Sequence, residues 1–184
     1  QEIDAFTREL QATETVDSIK QQTAIVATRD AYRACGKDPS RYRPSAEALR
    51  RRLLRGLDLY QIDTLVDLIN LVSLRTGYSI GGFDADKIQG DNLCLGIGKA
   101  GEAFEGIGRG TLNIEGLPVY RDAIGGIGTP TSDHERTKMG IETTHILALI
   151  NGYSGEKGLQ EAAEMTLDLL KKYADATEGE IMLY

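Results

Sequence analysis

Ile62-Asp63-Thr64-Leu65-Val66-Asp67-Leu68-Ile69-Asn70-Leu71-Val72-Ser73-Leu74, followed after a glycine by Gly81-Gly82-Phe83-Asp84-Ala85-Asp86-Lys87-Ile88, is where the pattern of the chain changes. In the first run Leu65, Leu68, Ile69 and Val72, with Leu71, recur at helical spacing, which predicts a helix over 63–75 with one apolar face. Gly77 stands where a helix stops, because a residue without Cβ takes the left-handed conformation at no steric cost. Beyond it the spacing shortens, and Tyr78–Phe83 reads as a strand.

Upstream the chain reads as helical from its start to residue 76. Ile3, Phe6 and Leu10 repeat at helical spacing, as do Ile19, Ala24, Ala27 and Tyr32. Lys37-Asp38-Pro39-Ser40 marks a turn, and Ser45, just after Pro44, is placed to cap a helix over 46–54. Downstream, fourteen of the 21 glycines fall between 77 and 128, separating β-prone runs at Leu93–Ile97, Ala103–Ile107 and Leu117–Asp122. Thr143–Ile150 reads as a buried strand, Glu156–Tyr173 as an amphipathic helix and Glu180–Tyr184 as a last strand. Helices first, strands in the middle and a C-terminal helix predict an α+β fold with a mixed or antiparallel β core. The 184 residues show neither a repeat nor a dividing linker, so one domain over 1–184 is expected.

Hydrophobic residues make up 41% and charged residues 27%, the balance of a folded chain, and no apolar run reaches the roughly 18 residues that cross a bilayer. No signal peptide is visible from Gln1 onward, and no membrane partner is expected. Cys35 and Cys94 have neither disulfide nor zinc spacing, so they are expected as small buried apolar residues in a reducing, cytoplasmic compartment. The net charge of −7 argues against indiscriminate nucleic-acid binding. Its distribution is uneven. Arg33, Lys37, Arg41, Arg43, Arg50, Arg51, Arg52 and Arg55 face only Asp38 and Glu47, a local net charge of +6 that leaves −13 on the remainder. Such a strip is either a phosphate-facing surface or a helix face paired with the acidic remainder.

Chemistry-bearing motifs are sparse. Gly96-Ile97-Gly98-Lys99-Ala100-Gly101 matches a dinucleotide loop, but a glycine-broken stretch follows instead of the helix N-terminus that would hold a pyrophosphate. Ser132, Asp133 and His134 are triad residue types, but adjacency in sequence is not triad geometry, and no G-x-S-x-G elbow exists. With only His134 and His145 no histidine metal cluster is expected, nor any cofactor. His145 is expected as a core or edge histidine of its strand, and His134 either as a solvated loop residue or as one that touches phosphate or moves a proton. The polar run Thr129–Lys138, after the flexible Gly125–Gly128, is a candidate pocket wall.

Several segments, in order, resemble one family. The quoted helix is similar to a family helix of the type I-x-x-x-V-D-x-x-N-x-V-x-L, and Gly81–Ile88 to a signature ending in F-D-x-D-K-I. Gly36–Leu49 resembles the entry segment of free-standing members, and Glu135–Lys138 with Glu142-Thr143-Thr144 the approach to the last core strand. The family is the tRNA-binding and editing module, the fused third and fourth structural modules, of the phenylalanyl-tRNA synthetase β subunit, and the likeness runs over about residues 15–175. It implies the α+β fold, RNA binding with tRNA or aminoacyl-tRNA as partner, and a place in translation quality control, with hydrolysis of a wrongly attached amino acid as the activity. Carried over residue by residue, the family's asparagine matches Asn70, its threonine falls on Ile69, its histidine on Gly81 and its glutamate near Leu149. One polar group of four is kept, and no catalytic residue can be assigned this way. The expected substrate pocket comprises Asn70, Gly81, Gly82, Thr129, Thr131, Ser132 and His134. The expected RNA-binding surface comprises Arg41, Arg43, Arg50, Arg51, Arg52, Arg55, Arg136 and Lys138. Three functions fit: an aminoacyl-tRNA deacylase acting in trans, a non-catalytic RNA-binding module, or a binding protein for an amino acid or similar small molecule.

Overall fold

A computed structural model of the chain describes residues 2–59 and 62–184. Five helices come first: α1 (Glu2–Thr13), α2 (Val16–Gln21), α3 (Thr23–Ala34), α4 (Ser45–Leu54) and α5 (Thr64–Thr76). Seven strands follow: β1 (Ser79–Asp84), β2 (Cys94–Ile97), β3 (Glu105–Gly106), β4 (Gly110–Thr111), β5 (Pro118–Arg121), β6 (Gly126–Gly128) and β7 (Ile146–Asn151). Helix α6 (Leu159–Tyr173) comes last. Every strand pairing is antiparallel, which narrows the expected mixed or antiparallel core. The architecture is α+β.

Local chemistry sets the ends of α5. Asp63 caps it by accepting from the Val66 N–H at 2.9 Å, and Gly77, at φ 81°, ends it with its own N–H donating to Ser73 O at 2.9 Å. Two sides of this helix are then used. Leu68, Ile69, Leu71 and Val72 join Ile80 of β1, Met139, and Ala162, Leu169 and Leu170 of α6 in the largest core cluster. Leu74 packs with Leu10 of α1 and Leu53 of α4. A separate cluster under the three-stranded sheet β2-β5-β6 holds Tyr32, Phe104, Ile114, Leu117 and Val119.

β1 forms a two-stranded ladder with β7, from Ser79 opposite Asn151 to Asp84 opposite Ile146. The long excursion between them carries the other two sheets. It returns through an isolated bridge between Phe83 and Lys138, while His134 bridges Gly106 and Asp133 bridges Gly128. The segment from 133 to 139 is thereby laid beside β1.

Some expectations are corrected. Glu180–Tyr184 forms no strand; Met182, Leu183 and Tyr184 are exposed, and an extended run without a pairing partner gains nothing over hydrated chain. The run 103–107 contributes only Glu105–Gly106 to a two-stranded turn with β4. Ser45 is the first residue of α4, after Pro44 at the cap. Cys94 is exposed because β2 is the outer strand of its sheet, and Cys35, at the C-cap of α3, is half-buried. His145 precedes β7 and is exposed, with Nδ1 2.9 Å from Asp86 Oδ2, so it is not a core residue; its carbonyl accepts from the Ala85 N–H at 2.9 Å at the end of the ladder. Among the described residues no helix is long and apolar enough to cross a membrane.

The basic strip takes the second of its two alternatives in part. Glu47 is 0% exposed and draws in three guanidiniums. Arg29 Nη1 lies 2.8 Å from Oε2, while Arg51 Nε at 2.9 Å and Arg43 Nε at 3.6 Å approach Oε1. Removing one partner of a buried ion cluster leaves the rest without compensation. Glu47→Gln, nearly the same shape, is therefore expected to lose about 3–5 kcal/mol in urea unfolding. A loss below about 1 kcal/mol would show that the cluster is hydrated and adds little.

Candidate functional site

Between the start of α5, the middle of β1 and the returning segment lies a cavity of about 310 Å³. Its apolar wall is Ile62, Val66, Ile69, Ile80, Ile107 and Met139, with Gly82 and Gly140 supplying backbone. Its polar groups are Asp63, Asn70, Asp133 and Lys138. Of these, Asp63 already caps α5, and the Lys138 ammonium pairs with the Glu135 carboxylate. Asn70 and Asp133 are the two left to address a ligand.

Asp133 is held by an unusual cradle. One carboxyl oxygen, Oδ2, accepts from the Gly82 N–H at 3.2 Å. The other occupies space that exists because two neighbours are glycines: a Cβ on Gly81 or on Gly128 would stand 3.0 Å from Oδ1. The same two Cβ atoms would also strike the Phe83 ring, at 2.7 Å and 2.5 Å from its Cζ. Burial of the carboxyl pushes its pKa up to about 7, opposed only by the Gly82 hydrogen bond. The residue retains partial exposure along the cavity wall, so a buried acid that titrates near neutrality meets a space where a ligand fits.

The other expected pocket residues divide. Asn70 and Gly82 line the cavity, and Gly81 lies behind Asp133. Leu149 stands directly across the ladder from Gly81, so the positions carried over from the family resemblance do meet in space around β1. Thr129, Thr131, Ser132 and His134 lie outside that wall. Thr129 Oγ1 accepts from the N–H groups of Thr131 and Ser132 at 3.1 and 3.0 Å, a turn that holds its own loop. Thr131 Oγ1 shares a 2.8 Å hydrogen bond with the Tyr32 hydroxyl. His134 Nδ1 accepts from the Arg136 N–H at 2.9 Å, its ring meets Phe104 edge-on at 5.0 Å, and burial, with Arg136 nearby, holds its pKa below the usual range. The stretch is extended, so alternate residues face opposite ways. Ser132 and His134 turn toward Gly106 and Phe104, and Asp133 between them turns toward β1. Only that alternation could have singled out Asp133 in the sequence.

The expected RNA-binding residues divide as well. Arg50 is buried, 3.4 Å from Glu14 and donating to Arg75 O, with its guanidinium over the Phe6 ring. Arg136 makes a two-pronged pair with buried Asp122 at 2.8 and 2.9 Å, which holds that carboxyl well below the usual carboxylate range. Arg52 donates from Nε to Asp58 O at 2.7 Å. Arg43 and Arg51 are partly exposed around Glu47, while Arg41 and Arg55 are exposed. Among the described residues no three of His, Cys, Asp and Glu converge to hold a metal ion.

Residues 27–175 match the B3/4 domain family. The chain belongs to that family. It is the family of the module found in the phenylalanyl-tRNA synthetase β subunit, and the matched span contains both α5 with Asn70 and the Asp133 cradle. A comparison with curated proteins returned no match. In this B3/4 domain, then, a scaffold shared with the synthetase module surrounds a cavity whose buried acid, Asp133, comes from the returning segment rather than from the positions of Ile69, Gly81 or Leu149.

The cradle has a measurable signature. An aspartate ionises near ~3.9 in an unfolded chain and Asp133 near about 7 in the folded one. Below ~4 both states hold the proton; between ~4 and ~7 the unfolded chain releases it first, so folding stability falls as pH rises through that window and then levels off. Asp133→Asn cannot ionise. Urea unfolding of the native chain should lose stability relative to Asp133→Asn across about pH 4 to 7 and run parallel to it above. Parallel behaviour throughout would mean that Asp133 is ionised and hydrated.

Proposed function

We propose that this B3/4 domain hydrolyses the ester of an aminoacylated tRNA, with the aminoacyl group in the α5–β1 cavity and Asp133 as general base. The observation that carries the reading is a carboxyl tuned to about 7 on the wall of that cavity. A base whose pKa lies near the working pH combines a useful ionised fraction with a real affinity for the proton.

An aminoacyl ester is already activated, and positioning supplies much of what its hydrolysis requires. The Asp133 carboxylate takes a proton from a water molecule as the water oxygen bonds to the ester carbonyl carbon. Collapse of the tetrahedral intermediate breaks the bond to the ribose oxygen. That oxygen receives the proton from Asp133, releasing the free amino acid and a tRNA with its terminal hydroxyl restored. The Asn70 amide is suited to hydrogen-bond the polar end of the aminoacyl group, and Val66, Ile69, Ile80 and Met139 favour an apolar side chain. RNA contact falls to the guanidiniums that remain partly or wholly exposed, Arg41, Arg43, Arg51 and Arg55.

One observation favours a second reading, a binding protein for a free amino acid or similar small molecule. Arg50, Arg136 and Lys138 are engaged inside the chain, which reduces the surface available to RNA.

Single-turnover deacylation of a panel of mischarged tRNAs separates the two. The hydrolase reading expects release from at least one species, with a rate that rises with pH and levels above about 7, and a loss of roughly 10²–10⁴-fold in Asp133→Asn. RNA binding without release would leave a non-catalytic module. No RNA binding, with a thermal shift produced by free amino acids, would leave the small-molecule reading.

A further inference from the structure

Glu47, Arg51 and the C-cap residue Arg55 lie at intervals of four and form a ridge along α4, which Arg43, just before the cap at Pro44, extends by pairing with Glu47. Arg29 of α3 closes the ridge from the inner side, donating to Glu47 Oε2 at 2.8 Å and toward Ser40 Oγ at 3.3 Å. Three guanidiniums therefore surround one carboxylate, with Arg55 as a fourth charge beyond them. Glu47 is wholly buried and balances one of them. The surplus is felt: burial and the charges of Arg51, Arg55 and Arg29 hold the Arg43 pKa below its ordinary value against the pull of Glu47.

The way the side chains are turned matters more than the count. Arg43 and Arg51 both present Nε to the same oxygen, Oε1, at 3.6 and 2.9 Å. Both Nε atoms are buried there at ion-pair distance without the alignment of a hydrogen bond. Nε is the atom each brings to Glu47, and neither residue gives an Nη hydrogen bond to a described residue. Their side chains remain 33% and 12% exposed. Glu47 thus acts as an internal clamp that fixes two arginine forks side by side, with the entropic cost of ordering them already met in the fold.

We infer that the Arg43–Arg51 pair is a phosphate site, and that Arg55, one helical turn further on, takes the adjacent phosphate of an RNA backbone. Paired guanidinium forks match the geometry and charge of a phosphate oxyanion. A second cation about 5.4 Å along the ridge has no use for a single free phosphate, but it suits a chain of them. The site itself stands apart from the hydrolase reading; only the choice of RNA as the source rests on it.

The test uses the whole chain with two probes, inorganic phosphate and uncharged tRNA, so no ester hydrolysis enters the readout. Arg43→Gln and Arg55→Gln are the variants, since both side chains reach solvent; Arg51→Lys, which keeps a charge at Glu47, guards against a folding defect. The expected results are a phosphate-induced rise in Tm that disappears in Arg43→Gln and weakens in Arg51→Lys. For tRNA, the slope of log affinity against log salt should fall by about one in each Gln variant. Loss of phosphate protection in Arg43→Gln with an unchanged tRNA slope keeps the site and assigns it to free phosphate. No phosphate protection in the native chain, together with unaltered slopes in both variants, overturns the proposal. Asp133→Asn should keep the native slope, so a failed deacylation assay and a failed phosphate site remain distinguishable.

Discussion

The antiparallel ladder between β1 and β7 is the constraint on which the rest of the molecule depends. It joins Ser79–Asp84 to Ile146–Asn151 and so ties together two segments separated by the whole glycine-rich middle of the chain. Closing so long an excursion costs entropy that local contacts cannot recover. The return comes from the core that the ladder anchors: α5 on one side and α6 with it, through Leu68, Val72, Ala162 and Leu170. Once that ladder is in register, Phe83 meets Lys138 and Gly82 meets Asp133. Because side chains alternate along a strand, a shift of one residue would turn Asp133's neighbours to the other face and dissolve the cradle.

The same ladder explains why glycines crowd the site. Gly81 and Gly128 leave the space that Asp133 Oδ1 and the Phe83 ring fill, and Gly82 lets Met139 close over β1, where a Cβ would stand 2.6 Å from Met139 Cε. Their missing side chains are part of the cavity's shape. An unpaired carboxyl set among them is costly to ionise, and that cost is what moves its proton affinity into the neutral range. The site so formed differs in origin from the one the family resemblance points to, since Ile69, Gly81 and Leu149 carry no ionisable group and the acid arrives from a different segment.

Charge follows a comparable economy. A strip of arginines in sequence suggests a uniform basic surface, but folding sorts it by depth. Arg50 is buried against Glu14, Arg29 against Glu47, and Arg136 pairs with Asp122. What is left outward is a short ridge whose forks are held by one buried carboxylate. Burying an ion pair contributes little net stability by itself, so its value here lies in orientation.

Most of the fold was legible in the sequence. Helical spacing over 63–75, the cap at Asp63 and the stop at Gly77 are decided by backbone sterics and nearby hydrogen bonds, and α5 follows them closely. The family resemblance was legible for the same reason, since its motifs lie on those elements. The site was legible only in part. Asn70 and Gly82, expected from their position in motifs, line the cavity, whereas Thr129, Thr131, Ser132 and His134, expected for their polarity, lie outside its wall and bond within their own loop or to Tyr32. Cys94, His145 and the Glu180–Tyr184 tail were misjudged because composition does not say which strand is at an edge or which segment finds a partner. The sequence alone determined the elements, because propensity, capping and periodicity act over a few residues. Tertiary structure alone decided that Asp133 would be the buried acid of the cavity and that Glu47 would gather three arginines. Burial and charge pairing join residues far apart in the chain, and no local pattern encodes their meeting.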